Sequence, residues 1–183
     1  IVAAAGNDEN EDFRVSNPGC GYNIITVGAV NFDCAITTYS SYIMNSNELS
    51  KPTVVAQGNY LTIAEEYYSN TGTSFSCAAV TGMLGMLFEA YPYCSTSAAL
   101  ASLFLATTAN MVGGGTRFED PGFDDEIGAG LVDIHDAIMI SGYEIAIPIQ
   151  DVVAGQVIYE TNITIPANFN FRVGVSRYCG NPN

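Results

Sequence analysis

The sequence predicts an α/β fold on a parallel sheet, followed by the beginning of an antiparallel β-sandwich. Three observations carry that expectation. Short apolar runs bounded by Gly and Asn alternate with longer helical stretches over residues 1–142, as strands buried on both faces should. Apolar residues make up 48% of the 183, enough to build a packed core and to argue against disorder. From Tyr143 the helices stop and period-two alternation takes over.

The strands come first. Ile1–Ala5 and Ile24–Val30 are short apolar runs of the buried parallel kind, and Pro52–Ala56 is a third, closed by Gln57-Gly58. Glu65–Asn70 makes a poor buried strand. Ser74–Ala90 reads as a long helix, apolar nearly all round and stopped by Tyr91-Pro92. Such a helix is expected to be buried, with Gly82 and Gly85 allowing close approach of neighbouring backbone. Ser95-Thr96-Ser97 offers an N-cap for a second helix to about Thr107. Gly113-Gly114-Gly115 opens an acidic loop, and Asp133 caps a third helix that ends at Gly142. Residues 143–183 then hold three β runs, whose Ile163, Ile165, Phe169, Phe171 and Val173 alternate as in half-buried strands. Three strands make a thin sandwich, so this region reads as the opening of a second domain.

Charge narrows the partners. Nineteen Asp and Glu stand against five Lys and Arg, a net charge of −14. Nucleic acid needs a basic footprint and is not expected. An acidic solvated face, with Asp8-Glu9-Asn10-Glu11-Asp12 as an example, is the simplest use of the excess. No membrane span is expected either, because no unbroken apolar run is long enough. Five cysteines (20, 34, 77, 94, 179) are ordinary for a secreted domain and many for a cytosolic one. Cys20 and Cys34 flank one strand and could pair, while Cys77 reads as a small buried hydrophobe. Asn162-Ile163-Thr164 is the one N-glycosylation sequon, and secretion is the expected localisation.

Gly72-Thr73-Ser74 carries the chemistry. A serine hydroxyl is a weak nucleophile until a base takes its proton and donors hold the resulting oxyanion. Ser74 at a helix N-terminus has backbone N–H groups and a positive dipole end beside it. Gly72 permits the sharp turn before it, and Asn7, after the first strand, is a plausible second donor. The plain alternative makes Gly72-Thr73-Ser74 a capping turn and Asn7 a turn residue. His135 is the sole histidine. Taken with Ser74 and an acid among Asp120, Asp124 and Asp125 it gives the α/β-hydrolase order, but the G-x-S-x-G elbow is missing. His135 is instead expected on an ordinary helix surface. Glu119–Glu126 gathers five carboxylates that could wrap a calcium ion, although the EF-hand spacing is absent and an uncomplexed acidic loop is preferred. Gly113–Gly115 lacks a following Lys and is no phosphate loop.

Five segments in order resemble the subtilisin-like serine proteases, the subtilases. Ile1–Asn7 is similar to their VVAAAGN segment and Ile24–Val30 to their ITVGA strand. Tyr39-Ser40-Ser41 with Lys51–Gly58 is similar to SS…KPDVVAPG. Gly72–Gly82 is similar to the nucleophile segment GTS-[MF]-[AS]-x-P, and Gly128–Asp133 to the entry of the last helix. Departures are Ala78 for the usual Pro, Gln57 for the Pro of APG and Thr53 for the usual Asp. Residues 143–183 resemble the start of the sandwich that larger subtilases append.

The resemblance implies a secreted serine endopeptidase of the subtilisin fold, with 1–142 as the C-terminal portion of the peptidase domain. Ser74 matches the nucleophile and Asn7 the oxyanion donor. In subtilisin itself, loss of that amide costs roughly 10²–10³ in turnover. Ala3, Ala4, Ala5 and Gly6 match a wall of the substrate pocket, and Thr73 is placed with them as substrate-binding. Neither D-[ST]-G nor H-G-T-H occurs in the 183 residues, so the Asp and His are expected upstream of Ile1 and the chain alone is expected to be inactive. The expected partners are a polypeptide substrate and that N-terminal part of the same domain. No cofactor is required for the chemistry, no metal ligand is assigned, and the family allows a structural calcium. A catalytically dead subtilase-like binding module of an extracellular assembly is the alternative.

Overall fold

The computed structural model describes residues 1–8, 14–43, 51–59, 61–63, 66–110, 112 and 124–140. The sandwich expected over 143–183, Cys179, the sequon and most of the acidic loop lie outside the described residues. The order of elements is β1 (Val2–Ala4), β2 (Ile25–Val30), β3 (Val54–Gln57), β4 (Leu61–Ile63), β5 (Glu66–Asn70), α1 (Thr73–Ala90), a 3-10 turn (Pro92–Thr96), α2 (Ala98–Thr108) and α3 (Ile134–Met139).

β1, β2 and β3 form the expected parallel sheet in that spatial order, with Val2 opposite Ile25 and Val27 opposite Val54. β2 is central and buried along its whole length, which is why its sequence reads as an unbroken apolar run. One face of the sheet (Ile25, Val27, Val54, Ala56) packs on Val80, Leu84 and Leu87 of α1. Each such side chain contributes about 1.5–3 kcal/mol on burial. The opposite face is closed by a loop: Ser40 Oγ accepts from Ala29 N–H at 3.0 Å, and a Cβ on Gly28 would lie 2.9 Å from that oxygen.

Beyond β3 the sheet is extended by Gly128–Val132. Val55 N–H donates to Gly130 O and Val132 N–H to Val55 O. This junction explains the two glycines. Gly128 (φ +61°) and Gly130 (φ +113°) sit where a Cβ would meet Pro52 O at 2.2 Å and Asn110 O at 2.3 Å. Asp133 then caps α3, its Oδ1 accepting from Asp136 N–H at 3.0 Å, and Ser97 caps α2 by accepting from Leu100 N–H at 3.3 Å. α3 ends at Met139, earlier than the sequence suggests.

Leu61–Ile63 and Glu66–Asn70 pair antiparallel as β4 and β5 outside the parallel sheet, in keeping with a segment that makes a poor buried strand. Two expectations are corrected. Among the described residues helix α1 is not covered all round, because Ala78, Thr81, Gly82, Gly85 and Met86 are exposed, and a Cβ on Gly82 or Gly85 would meet none of those residues within 4 Å. By length and composition alone α1 could cross a membrane, yet its inner face is packed on all three strands. Finally, Cys20, Cys34, Cys77 and Cys94 are all free thiols. Cys20 precedes β2 and Cys34 follows it, so they sit towards opposite ends of an extended strand and do not pair. Cys77 is half-buried against the core, which pushes its thiol up from the usual range.

Lys51 is the one charged residue in the buried set among the described residues, 3% exposed. Its Nζ donates to Ile24 O and, at 3.5 Å, to Thr53 Oγ1, joining the start of β2 to the start of β3. Burial pulls its pKa down to about 8, with a smaller opposing effect from Cys20. The unfolded chain, where the ammonium is hydrated and the ordinary value is 10.5, therefore binds more protons than the folded one between these two pH values. The Lys51 contribution to stability is expected to rise with pH from about 8 to about 10.5, against the opposite contributions of Cys77 and Tyr39, whose values are raised. Urea unfolding across that window should show a more positive slope of stability against pH in the wild type than in Lys51→Met.

Candidate active site

The strand ends bring the sequence motifs together. In a parallel sheet the C-terminal ends of all strands share one edge, and here Asn7, Gly58 and the first turn of α1 meet there. Gly72 caps α1 at φ +151°, a backbone region that suits glycine. Gly72 N–H donates to Gly58 O at 2.7 Å, and Ser76 Oγ donates to Ala56 O at 2.9 Å. These two bonds fasten the helix start to the end of β3. Gly58 is required for that approach, since a Cβ there would lie 2.4 Å from Ser76 Oγ.

Asn7 is fastened through Thr73. Asn7 Oδ1 accepts from Thr73 N–H and from Thr73 Oγ1, both at 2.9 Å. With the carbonyl oxygen engaged, the amide Nδ2 is turned the other way. A Cβ on Gly72 would lie 3.3 Å from Asn7 Nδ2 and 3.4 Å from Ser74 Oγ, so the two polar atoms flank the same small space. Ser74 is exposed, and its first-turn position leaves its N–H outside the helical hydrogen-bond ladder. An exposed hydroxyl, a backbone N–H and a fixed side-chain amide converge at a positive helix end. Such a constellation can hold a carbonyl oxygen as it becomes an oxyanion.

The remaining site residues divide. Ala4 and Gly6 are half-buried along the rim, whereas Ala3 (6% exposed) and Ala5 (0%) turn their side chains into the core. Thr73 is 1% exposed, and its hydroxyl lies between Asn7 and Gly6. The side chains of Ala3, Ala5 and Thr73 are thus buried and have a structural use. Thr73 holds the amide, and the two alanines anchor the strand that carries it. Residues not singled out by the sequence also contribute. Ser41 N–H donates to Gly6 O at 3.1 Å and Ser41 Oγ accepts from Asp8 N–H at 3.2 Å, bracketing Asn7 from outside. Ser41 belongs to a stretch the family resemblance covers, but its role depends on a contact 33 residues distant.

His135 does not join the site. It lies on the exposed side of α3, and α3 is tied by the Tyr91 hydroxyl to Ile138 O at the far end of α1. Seventeen helical rises of about 1.5 Å, some 25 Å, separate Ser74 from Tyr91. Asp133, His135 and Asp136 each bring one ligand atom within 4.8 Å of the others. Both oxygens of Asp133 are already engaged, by Asp136 N–H and by Asn110 Nδ2 at 2.7 Å. Asp124, from the acidic loop, spends Oδ1 on the N–H groups of Glu126 and Ile127.

The described residues thus form an α/β domain with an exposed serine at a helix N-terminus and a side-chain amide fastened beside it. The subtilase family matches residues 1–130, and the chain belongs to that family. A cuticle-degrading serine protease of Arthrobotrys oligospora is 32% identical over 90 residues, 49% of this chain and 22% of that protein. Among solved structures, the CspB protease of Clostridium perfringens superposes with a TM-score of 0.57 at 23% identity, over 68% of this chain and 27% of its own. The prenylagaramide maturation protease PagA does so at 0.55 and 19% identity, over 75% and 48%. These two likenesses establish the fold. The chain thus spans about half or less of the relatives it matches.

Thr73→Val keeps the N–H donor to Asn7 and removes the hydroxyl donor. The amide of Asn7 is then expected to lose its single orientation, visible as broadening or doubling of its side-chain NH₂ resonances, with about 1–2 kcal/mol lost from stability.

Proposed function

We propose that this chain carries the nucleophile and oxyanion half of an extracellular serine endopeptidase, with the base and its orienting acid supplied from outside these 183 residues. The carrying observation is the placement of Asn7 Nδ2 and Ser74 Oγ on either side of Gly72. Ser74 Oγ attacks the peptide carbonyl while a base takes its proton. The oxyanion is received by Asn7 Nδ2 and Ser74 N–H, the amine leaves with a proton from the same base, and water then hydrolyses the acyl-serine. This chemistry needs no cofactor. Family membership supports a polypeptide substrate, and the cuticle-degrading activity named for one relative supports an extracellular place of action.

The rest of the peptidase domain is the proposed partner, and two surfaces suit it. Among the described residues no strand pairs with the outer edge of β1. Next to it, Ile1, Val2, Leu84, Gly85 and Phe88 line an open cavity of about 280 Å³ that continues onto the uncovered face of α1. An unpaired parallel edge beside bare apolar surface suits a further strand and helix of the same sheet.

A fluorophosphonate applied to the full-length protein is expected to label Ser74, and Ser74→Ala should abolish both labelling and peptide hydrolysis. An intact, folded protein that leaves Ser74 unlabelled would sink the reading. For the partner surface, Gly85→Leu in the full-length protein should cost about 1–3 kcal/mol by overpacking if the face is covered. A gain of about 0.5–1 kcal/mol, from the better helix propensity of Leu, would mark that face as free surface.

A further inference from the structure

Tyr39 holds a position that nothing in the mechanism above uses. Its hydroxyl donates to Gly58 O at 2.8 Å, and Gly58 O is the same oxygen that accepts from Gly72 N–H at 2.7 Å. Both lone pairs of that carbonyl are thereby engaged, which fixes its direction. One phenolic oxygen thus links the loop that carries Tyr39 to the end of β3 and, through Gly58 O, to the turn before α1. The ring is half-buried, a cost that an ordinary apolar filler would avoid by lacking the hydroxyl. Two residues beyond Gly72 stands Ser74, and the position of Gly72 sets the gap shared by Ser74 Oγ and Asn7 Nδ2.

We infer that Tyr39 is a positioning residue for the acyl-transfer step, its hydroxyl locking Gly58 O onto Gly72 and so fixing Ser74 against Asn7. The inference rests on the reading of Ser74 as nucleophile. The alternative use of Tyr39, filling space beside the loop, needs only the ring. Gly58 O keeps its bond to Gly72 when the hydroxyl is removed, so little stability depends on it; what is lost is the second direction of constraint. Burial pushes the Tyr39 hydroxyl above its ordinary range, which keeps it a protonated donor well past neutral pH. A displacement of a fraction of an ångström at Ser74 matters because the oxyanion donors must meet a charge whose position is set by the attack itself.

The test compares wild type with Tyr39→Phe in the full-length protein. Active sites are titrated with a fluorophosphonate, and kcat and KM on a peptide amide are measured per titrated Ser74 alongside the thermal midpoint. The expected result is a fall of about three- to tenfold in kcat and in the labelling rate, with KM unchanged and no more than about 4 °C lost from the midpoint. Unchanged kcat per labelled site overturns the inference, whether the midpoint holds (a space-filling ring) or falls (a structural bond only). A rise in KM at constant kcat also overturns it, by making Tyr39 a substrate contact. If wild type itself leaves Ser74 unlabelled, the underlying reading fails first and the two failures are told apart.

Discussion

Everything that makes this site a site depends on where the first turn of α1 is fastened. A helix packed on a sheet by Val80, Leu84 and Leu87 alone could slide by a fraction of a turn at little cost, because apolar contacts are non-directional. The N-terminus cannot. Thr73 bonds to Asn7 at the end of β1, Gly72 bonds to Gly58 past the end of β3, and Ser76 bonds to Ala56 within β3. Directional hydrogen bonds in a buried setting lose more when stretched than dispersion contacts do. Axial and rotational freedom of the helix is thus removed at the end that carries Ser74.

The same fastening solves an electrostatic problem. A helix start presents unsatisfied N–H groups and a partial positive charge, normally met by a capping side chain. Gly72 has none to offer, and no acidic residue occupies the first turn. Asn7 Oδ1 takes up Thr73 N–H, so one donor is satisfied from another strand and the next, on Ser74, stays available. A side-chain acceptor at position 72 would take up the remaining donors, and a Cβ there would lie 3.3 Å from Asn7 Nδ2 and 3.4 Å from Ser74 Oγ.

Much of this was legible in sequence because the constraints are local. The parallel strands show as apolar runs, Ser97 and Asp133 show as caps, and Gly128-Ala129-Gly130 is readable as a motif whose two glycines turn out to lie against backbone oxygens. The failures share a different cause. The helical pattern of α1 reports how apolar each face is but not whether anything covers it, so Gly82 and Gly85 were read as contact points and are exposed. Cys20 and Cys34 are near in sequence, yet an extended strand is the arrangement that separates such residues most.

By itself the sequence determined the parallel α/β plan, the family and the pairing of Ser74 with Asn7, because each rests on short motifs whose residue types have few physical uses. Only the tertiary structure decided how the pair is held. It made Thr73 the anchor of the Asn7 amide, and it brought Tyr39 and Gly58 to the turn before Ser74. Those roles arise from hydrogen bonds between segments that the chain keeps tens of residues apart. A linear pattern carries the identity of such partners but not the distance between them.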